Sequence, residues 1–432
     1  MADIIHTTEV APAGYHLTNA GVLPNEWTSS PLSSIVEEIT ETAGTRKIET
    51  VSISAGIGFV NQAEKFGKEL SGKQYEKYTV LHQGDFSYNK GNSNLYPQGC
   101  IYRLNDRTEA AVPNVFESFR VVDGDPNYYE QLFTSGFLNK QLYSRINRGV
   151  RDDGLLNLRG EDFYCCEVPC PPLAEQERIA EILMQCDKVI ELKEKKNNEI
   201  KQLKKECLKK MFPQKGQTGP EFRFPEFSGA WEQCKFGDLA DYKKGPFGSA
   251  ITKNMFVPKS EDSIKVYEQQ NAINKDWSLE RYFLPKEYVH AKLKSFEVHD
   301  GDLIVSCAGT IGEIYEIPEN AELGVINQAL MRIRVNEDIV DKKMFIITFS
   351  NMIDSFAKIH SNGSAIKNIP PFADLKPTEV LVPSMAEQRK ISRYFDELDN
   401  LIALYQRELE EQKAQKKVLE QLLLTGIVRT RV

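Results

Sequence analysis

The chain has 432 residues, of which 41% are hydrophobic and 27% are charged. This length is too great for one ordinary domain, and the composition is that of a folded protein with two or three domains. No apolar run reaches the roughly 18–20 residues that a membrane-spanning helix needs, and the first residues lack the apolar core of a secretory signal. The formal net charge of −8 argues against a nucleic-acid-binding protein whose whole surface is basic. If the chain binds nucleic acid, this charge requires either that its basic residues are concentrated on one face or that a partner supplies positive charge.

The cysteines indicate the compartment and argue against a zinc centre. Eight are scattered along the chain, and only Cys165, Cys166 and Cys170 lie close together. Without an export signal, a reducing, cytoplasmic setting is expected. The three clustered cysteines lack a second ligand pair or a nearby histidine at zinc spacing, so we predict buried strand residues and no metal site.

The predicted elements divide the chain into five segments. These are an N-terminal extension (1–20), a globular region (21–170), a long helix (171–216), a second globular region (217–382) and a distal helix (383–432). Short β-branched runs predict strands at 48–53, 78–82, 119–122, 303–307 and 329–335. Helical spacing of apolar residues predicts shorter helices at 127–145 and 341–358. The predicted fold class is α+β, with strands dominating each globular region.

The sequence repeats itself at an offset of 212 residues. Ala174-Glu175-Gln176 returns as Ala386-Glu387-Gln388, Asp187 as Asp399, and Lys204-Lys205 as Lys416-Lys417. A looser repeat relates Trp27 to Trp231, and His82-Gln83-Gly84-Asp85 to His299-Asp300-Gly301-Asp302. The order of globular region and helix therefore occurs twice, which indicates an internal duplication.

Each repeat ends in a long helix with a narrow apolar stripe at alternating three and four spacing, typical of a coiled-coil seam. The seam residues are Ile179, Leu183, Cys186, Ile190, Ile200 and Met211 in the first helix, and Ile391, Phe395, Leu398, Ile402, Tyr405, Leu409, Leu419 and Leu423 in the second. Ser384 and Glu387 have the spacing of a capping box at the second start. Each helix has about 39 residues, hence roughly 58 Å at ~1.5 Å per residue. We expect the two helices to pair antiparallel; the alternative is that each packs on its own globular region.

Polar and basic loops recur at matching places in both globular regions and are the candidate DNA-binding residues. Amide side chains pair with adenine in the major groove, and lysine and arginine bind phosphate or guanine. The candidates are Arg46, Lys47, Asn89, Lys90, Asn92, Ser93, Asn94, Arg148, Arg151, Lys243, Lys244, Ser249, Gln269, Gln270, Asn271, Ser306, Thr310, Asn327, Gln328, Ser364 and Lys367. The Lys243–Ser249 loop is glycine-rich and also contains an aromatic residue, Phe247. Any single loop of this kind is equally compatible with an ordinary polar turn.

Motifs of catalysis are missing from the sequence. The stretch Ala55-Gly56-Ile57-Gly58 lacks the third glycine of a dinucleotide-binding loop. Ile369-Pro370-Pro371-Phe372 has isoleucine where an amino-methyltransferase needs a polar residue to hold the target amine. We therefore expect a chain without a catalytic centre.

The pattern resembles the specificity subunits of type I restriction–modification systems. The resemblance rests on Pro171–Gln176 with Ile179, on Pro383–Gln388 with Ile391, and on the joint from Met211–Gly216 to Trp231-Glu232. Gly301–Ile304, Asn327-Gln328 and Gly363-Ser364 also match, so the resemblance covers nearly the whole chain from about residue 21.

The resemblance implies that the two globular regions are target-recognition domains, each of which reads one half of a bipartite, asymmetric double-stranded DNA target. It further implies that the paired helices fix the gap between the halves. The implied partners are two adenine methyltransferase (modification) subunits and motor–nuclease (restriction) subunits. S-adenosylmethionine, ATP and Mg²⁺ would belong to those partners, and this chain would bind no cofactor. A different class of function, a coiled-coil scaffold that spaces two protein-binding domains, stays open from the residues alone.

Overall fold

A computed structural model describes residues 11–67, 72–91, 96–146, 155–214, 216–360 and 375–430. The chain divides into two compact units. Unit 1 comprises residues 1–197 and 405–432, and unit 2 comprises residues 198–404. Each unit is thus one globular region combined with part of each long helix.

The strands are short in both units. They are β1 Tyr15–Thr18, β2 Gly21–Pro24, β3 Thr28–Pro31, β4 Val36–Glu38, β5 Val51–Ser54, β6 Gly58–Asn61, β7 Thr79–His82, β8 Phe86–Asn89, β9 Cys100–Arg103, β10 Glu109–Val112, β11 Glu117–Val121, β12 Glu167–Cys170, β13 Glu232–Lys235, β14 Ala240–Lys244, β15 Ser263–Tyr267, β16 Phe283–Pro285, β17 Glu297–Val298, β18 Leu303–Ser306, β19 Ile314–Glu316, β20 Gly324–Ile326, β21 Leu330–Val335 and β22 Glu379–Val382. The helices are α1 Leu32–Ile35, α2 Gln62–Phe66, α3 Pro126–Thr134, α4 Asn139–Arg145, α5 Gly160–Tyr164, α6 Leu173–Lys210, α7 Gln269–Asn274, α8 Lys286–Tyr288, α9 Lys342–His360 and α10 Met385–Leu424.

The two units share a central sheet of the same topology. In unit 1 the strand order is β4-β11-β8-β9, and in unit 2 it is β14-β21-β18-β19, antiparallel throughout. A two-stranded ribbon joins the entry of each region to its exit, β3 with β12 and β13 with β22. The duplication seen in the sequence is therefore a duplication of the fold.

The units differ in their accessory sheets. Unit 1 has the two-stranded pairs β5-β6 and β7-β10, whereas unit 2 has a four-stranded sheet, β16-β15-β20-β17, in which β15 and β20 run parallel. Gln269–Asn271 follow β15, and Asn327 and Gln328 follow β20, whereas Asn89, Lys243, Lys244 and Ser306 belong to strands of the central sheets.

A repeated turn places a buried aspartate against each central sheet. Asp85 accepts a hydrogen bond from the His82 backbone N–H at 2.7 Å, and Asp302 accepts one from the His299 N–H at 2.9 Å. Each aspartate also pairs through two bonds with an arginine of the same sheet, Arg120 at 2.7 and 3.0 Å or Arg334 at 2.8 and 3.1 Å. Since a buried carboxylate needs such partners, the repeated Gly-Asp element is structural.

The long helices pack partly on their own globular regions. Ile179 and Leu183 of α6, with Leu423 of α10, lie in the unit 1 core around Trp27 and Phe119. In unit 2 the corresponding core includes three α10 residues, Ile391, Phe395 and Leu398, and also Met211. Each fully buried side chain of this size contributes about 1.5–3 kcal/mol. The stripe therefore serves two purposes, because its ends are core residues and its middle faces the other helix.

Three predictions of local structure differ from what the structure shows, and the helix predicted at 171–216 also ends earlier, at Lys210. The helix predicted at 127–145 is two helices, α3 and α4, because the intervening Gly136 takes a left-handed φ of +79°. The boundary at residue 20 runs through a hairpin, because β1 pairs with β2. At the start of α10, Ser384 Oγ accepts from the Glu387 N–H at 3.5 Å, but the Glu387 carboxylate binds Arg223. Ser384 therefore caps the helix without the reciprocal half of a capping box.

Candidate nucleic-acid interface

In unit 1 the two long helices pair antiparallel through charged and amide side chains. Asp187 bonds Lys416 at 2.5 Å, Lys193 bonds Glu408 at 2.7 Å, and Asn197 donates to Gln406 at 2.8 Å. The residue numbers rise along α6 as they fall along α10, which defines the antiparallel direction. The seam residues here are Cys186, Ile190, Tyr405 and Leu419, all half-buried, and Leu409, which is buried.

In unit 2 the same helices are joined by an ion pair between Lys204 and Asp399. They also meet where the Cys207 Sγ lies 3.4 Å from the Tyr394 hydroxyl oxygen. Lys343 of α9 also bonds Asp399 at 2.8 Å. Burial alone would raise the pKa of Asp399, but the hydrogen bonds from Lys204 and Lys343 outweigh it and hold that pKa below its ordinary value of 3.8. The seam residues Ile200 and Ile402 are half-buried in this unit.

These ion pairs explain the repeat at offset 212. Asp187 and Lys204 lie on α6, and their repeats Asp399 and Lys416 lie on α10. Each aspartate bonds the lysine of the other helix, once in unit 1 and once in unit 2. The repeated charged residues are therefore a matched pair of antiparallel contacts.

A buried glutamate near the start of each long helix binds an arginine from beyond the end of the other, a contact we call the clasp. In unit 1 Glu175 is bound by Arg429 at 2.7 and 2.8 Å and by the Trp27 indole N–H at 2.9 Å. Burial would raise the pKa of Glu175, yet the bonds from Arg429 and Trp27 hold it below 4.5. In unit 2 Glu387 is bound by Arg223 at 2.7 and 2.6 Å.

The neighbouring glutamine completes the clasp. Gln176 accepts from the Asp125 N–H at 2.9 Å, and Gln388 accepts from the Asp341 N–H at 2.8 Å. Both aspartates cap the helix that follows the central sheet, α3 in unit 1 and α9 in unit 2. The Ala-Glu-Gln motif thus fixes each long helix to its globular region, and its polar groups are engaged in structural contacts.

Several predicted recognition residues lie on the surface. Those exposed to solvent are Arg46, Lys47, Lys244, Ser249, Gln270, Thr310 and Gln328, and those half-buried are Lys243, Gln269 and Asn327. In unit 2 the structure brings some of them together. The backbone of Gly245 lies against Asn327, and Gly309 lies beside the side chain of Gln269.

Four predicted recognition residues make contacts within their own domain. Asn271 is 2% exposed and donates to the Asp276 and Leu279 carbonyls, and Ser306 is fully buried. Ser306 Oγ accepts from the Glu313 N–H at 2.9 Å. Asn89 donates to the Ile53 carbonyl, and Lys90 forms an ion pair with Glu117. These polar groups satisfy the loops of their own domain, so they are not available to a base in this structure.

The remaining predicted recognition residues lie outside the described residues; they are Asn92, Ser93, Asn94, Arg148, Arg151, Ser364 and Lys367. Sequence reasoning missed Lys292, which lines the same cleft as the Lys243–Ser249 loop. No sequence signal identifies Lys292, because it reaches that loop only through the packing of the segment after α8. Phe247, the aromatic residue of the loop, is exposed to solvent.

The described residues can also be searched for disulfides, for a metal site and for a membrane-spanning helix. All eight cysteines are free thiols, and Cys166 is buried in the unit 1 core. Within the described ranges, no group of three or more side chains has the arrangement of a metal site. No helix among them combines the length and apolar character of a membrane span.

Comparison with known proteins identifies the family. The model of the type I restriction modification DNA specificity domain matches twice, at residues 14–202 and 229–414. The chain belongs to this family. Each match covers one globular region and a large part of the helix that follows it, so the family domain is the repeated unit of the sequence.

Two specificity subunits have sequences similar to this chain over most of its length. The putative type I restriction enzyme MjaX specificity subunit of Methanocaldococcus jannaschii is 23% identical over 451 residues, covering 96% of each chain. The MjaVIII specificity subunit of the same organism is 23% identical over 327 residues, 72% of each chain.

Two solved structures share the fold. One, described as "Structural basis underlying complex assembly and conformational transition of the type I R-M system", has a TM-score of 0.59 at 15% identity and covers 94% of this chain and 99% of its own. The type I restriction-modification S subunit from M. genitalium has a TM-score of 0.51 at 15% identity, with coverage of 92% and 96%. Membership of this family assigns the chain a general function in DNA target recognition.

Proposed function

We propose that this chain selects a bipartite, asymmetric DNA sequence for a type I restriction–modification complex. Unit 1 reads one half of the target and unit 2 reads the other. The paired helices α6 and α10 set the length of the unspecified gap. The chain itself carries out no reaction and directs adenine methylation, and cleavage, by partner subunits.

The observation that carries this proposal is the duplication at the level of side-chain contacts. Both units have the same central sheet and the same clasp, but different accessory sheets. A shared frame with divergent loops is suited to reading two different half-sites, because specificity depends on the loops that meet the bases. The match to a DNA specificity domain in both halves favours DNA over protein ligands and so speaks against the scaffold alternative.

The proposed partners are those that the resemblance to type I specificity subunits implies. Double-stranded DNA is the ligand, two modification subunits supply methyl transfer, and restriction subunits supply translocation and cleavage. S-adenosylmethionine, ATP and Mg²⁺ are assigned to those subunits. Partner subunits that contribute basic surface would also reconcile DNA binding with a net charge of −8 on this chain.

Methylome sequencing of the host with and without the gene tests the proposal. We expect a single gapped motif with modified adenine on both sides of the gap, present only with the gene. A continuous motif, or no difference between the strains, would contradict it. A salt titration of duplex binding separates the scaffold alternative, since DNA binding weakens steeply with salt and a protein scaffold binds no duplex.

The role of the helices has its own test. Inserting four residues after Lys195 and four at the matching place in α10 adds about one turn to each helix. We expect the preferred gap to lengthen while both half-sites stay unchanged. An unchanged gap in a folded variant would refute the role of the helices in spacing.

A further inference from the structure

A basic cleft with an aromatic lining lies on unit 2. It has a volume of about 820 Å³ and is lined by the Lys243–Ala250 segment and by Tyr288, Lys292, Phe296 and Gln328 among others. The lining includes three lysines, and no carboxylate side chain is among the described residues that form it. Lys243 Nζ lies 4.7 Å from the centre of the Phe296 ring. On a chain of net charge −8, this cleft is a local concentration of positive charge, which favours a negatively charged ligand.

The loop at the edge of this cleft is held rigidly. A Cβ on Gly245 would overlap the Asn327 carbonyl oxygen, so the two backbones are in direct contact. The Gly245 N–H donates to the Leu330 carbonyl at 2.9 Å, and Pro246 is buried. Beyond the tip, the Tyr288 hydroxyl donates to the Ala250 carbonyl at 2.9 Å. The loop is therefore anchored on both sides of its tip.

Phe247 occupies that tip with its ring in solvent. It is 89% exposed, more than any other large hydrophobic side chain in the described part of the chain. The backbone at the tip is itself hydrogen-bonded, since the Phe247 carbonyl accepts from the Ala250 N–H at 2.8 Å. A rigid loop that holds an aromatic ring in water, beside lysines, is preorganised for a ligand with both an aromatic face and negative charge.

We propose that Phe247 is a stacking residue that inserts its ring at a base-pair step of the half-site bound by unit 2, while Lys244 and Lys292 bind the flanking phosphates. This inference rests on the proposed function. DNA is the occupant because it offers base faces and phosphates side by side, which matches the aromatic ring and the lysines of the cleft. Proteins that insert apolar side chains between base steps use phenylalanine in this way.

The test uses the full chain assembled with its modification subunits and a duplex that carries its motif. 2-Aminopurine replaces purines of each half-site in turn, since its fluorescence reports unstacking. We expect one position in the unit 2 half-site to change on binding, and Phe247→Ala to abolish that change. Phe247→Ala should weaken binding roughly 5- to 140-fold, which corresponds to about 1–3 kcal/mol for a stacked base. Phe247→Tyr should restore both readouts.

Matched variants serve as controls. Leu323→Ala removes another exposed apolar side chain of unit 2 that does not line the cleft, and it should change neither readout. Lys244→Gln and Lys292→Gln should each lower the salt slope of binding by about 0.9, whereas the exposed Lys235, in β13, should tolerate the same change.

The outcomes separate this inference from the proposed function. If the wild-type complex binds its motif but Phe247→Ala has the same affinity and the same fluorescence profile, the stacking role is wrong and the proposed function stands. If the wild-type complex binds no duplex specifically, the proposed function itself fails. Equal thermal stability of Phe247→Ala and wild type, expected for so exposed a side chain, excludes misfolding as the cause of a loss.

Discussion

The clasp of unit 1 predicts unequal effects for its two charged partners. The Glu175 side chain is 4% exposed, whereas that of Arg429 is 36% exposed. Arg429→Gln leaves a buried carboxylate with the Trp27 indole as its remaining side-chain donor, which should cost about 3–5 kcal/mol. Glu175→Gln leaves an arginine that reaches solvent and still binds Glu26 at 2.8 Å, so the loss should be only about 1.5–3 kcal/mol.

Urea unfolding followed by tryptophan fluorescence measures both variants, because Trp27 lies in the clasp itself. The double variant should be more stable than Arg429→Gln alone, since it removes the uncompensated charge. The difference between wild type and Arg429→Gln should also shrink as pH falls, because protonation of Glu175 relieves the same charge. Equal losses for Glu175→Gln and Arg429→Gln, or two losses that simply add in the double variant, would contradict a buried charge at Glu175.

Three further outcomes are expected. Asn271→Ala should lower the free energy of unfolding by about 1–3 kcal/mol in a urea titration, because it leaves buried backbone carbonyls without a hydrogen-bond donor. Gln270→Ala, on the surface, should leave that free energy unchanged. Gly245→Ala should displace the loop from Asn327 and weaken binding to the unit 2 half-site alone in a duplex titration, so an unaltered affinity would argue against a fixed loop. The pKa of Asp399 is lower in the folded protein than its ordinary 3.8, so ionised Asp399 stabilises unit 2 at pH values above 3.8. This stabilisation is lost as the pH falls through the folded-state pKa. Unfolding measured over a range of acid pH should show the loss in the wild type but not in Asp399→Asn.

The frame of the molecule was predictable because the repeat in the sequence corresponds to repeated contacts. Asp187 and Lys204 recur at the offset of 212, and their ion pairs with α10 are the antiparallel pairing that the apolar stripes predicted. The apolar spacing does not predict which residues of the stripe contact the other helix and which contact the core of a globular region. Ile179 and Ile190 belong to the same stripe of α6, yet Ile179 lies in the unit 1 core and Ile190 is only half-buried. The difference depends on how far the neighbouring globular region reaches along the helix, which the spacing does not encode.

The recognition loops were less predictable, for a physical reason. Asn271 and Gln270 are adjacent amides of similar chemistry, yet one is buried and holds a loop while the other is exposed. Burial of a polar side chain depends on which backbone groups need a partner, and this is set by loop closure rather than by residue type. The cleft beside Phe247 likewise combines residues from three distant segments, so no local pattern could reveal it.

In the proposed function, two matching units read two separate halves of one target. The most direct test is methylome sequencing of strains that express either this chain or a variant in which the Gly245–Ser249 loop, which follows β14, is replaced by glycine and serine. We expect one gapped motif for the natural chain. For the variant we expect a motif relaxed in one half, with the other half and the gap unchanged. Equal loss of both halves in a folded variant, or a motif without a gap for the natural chain, would contradict it.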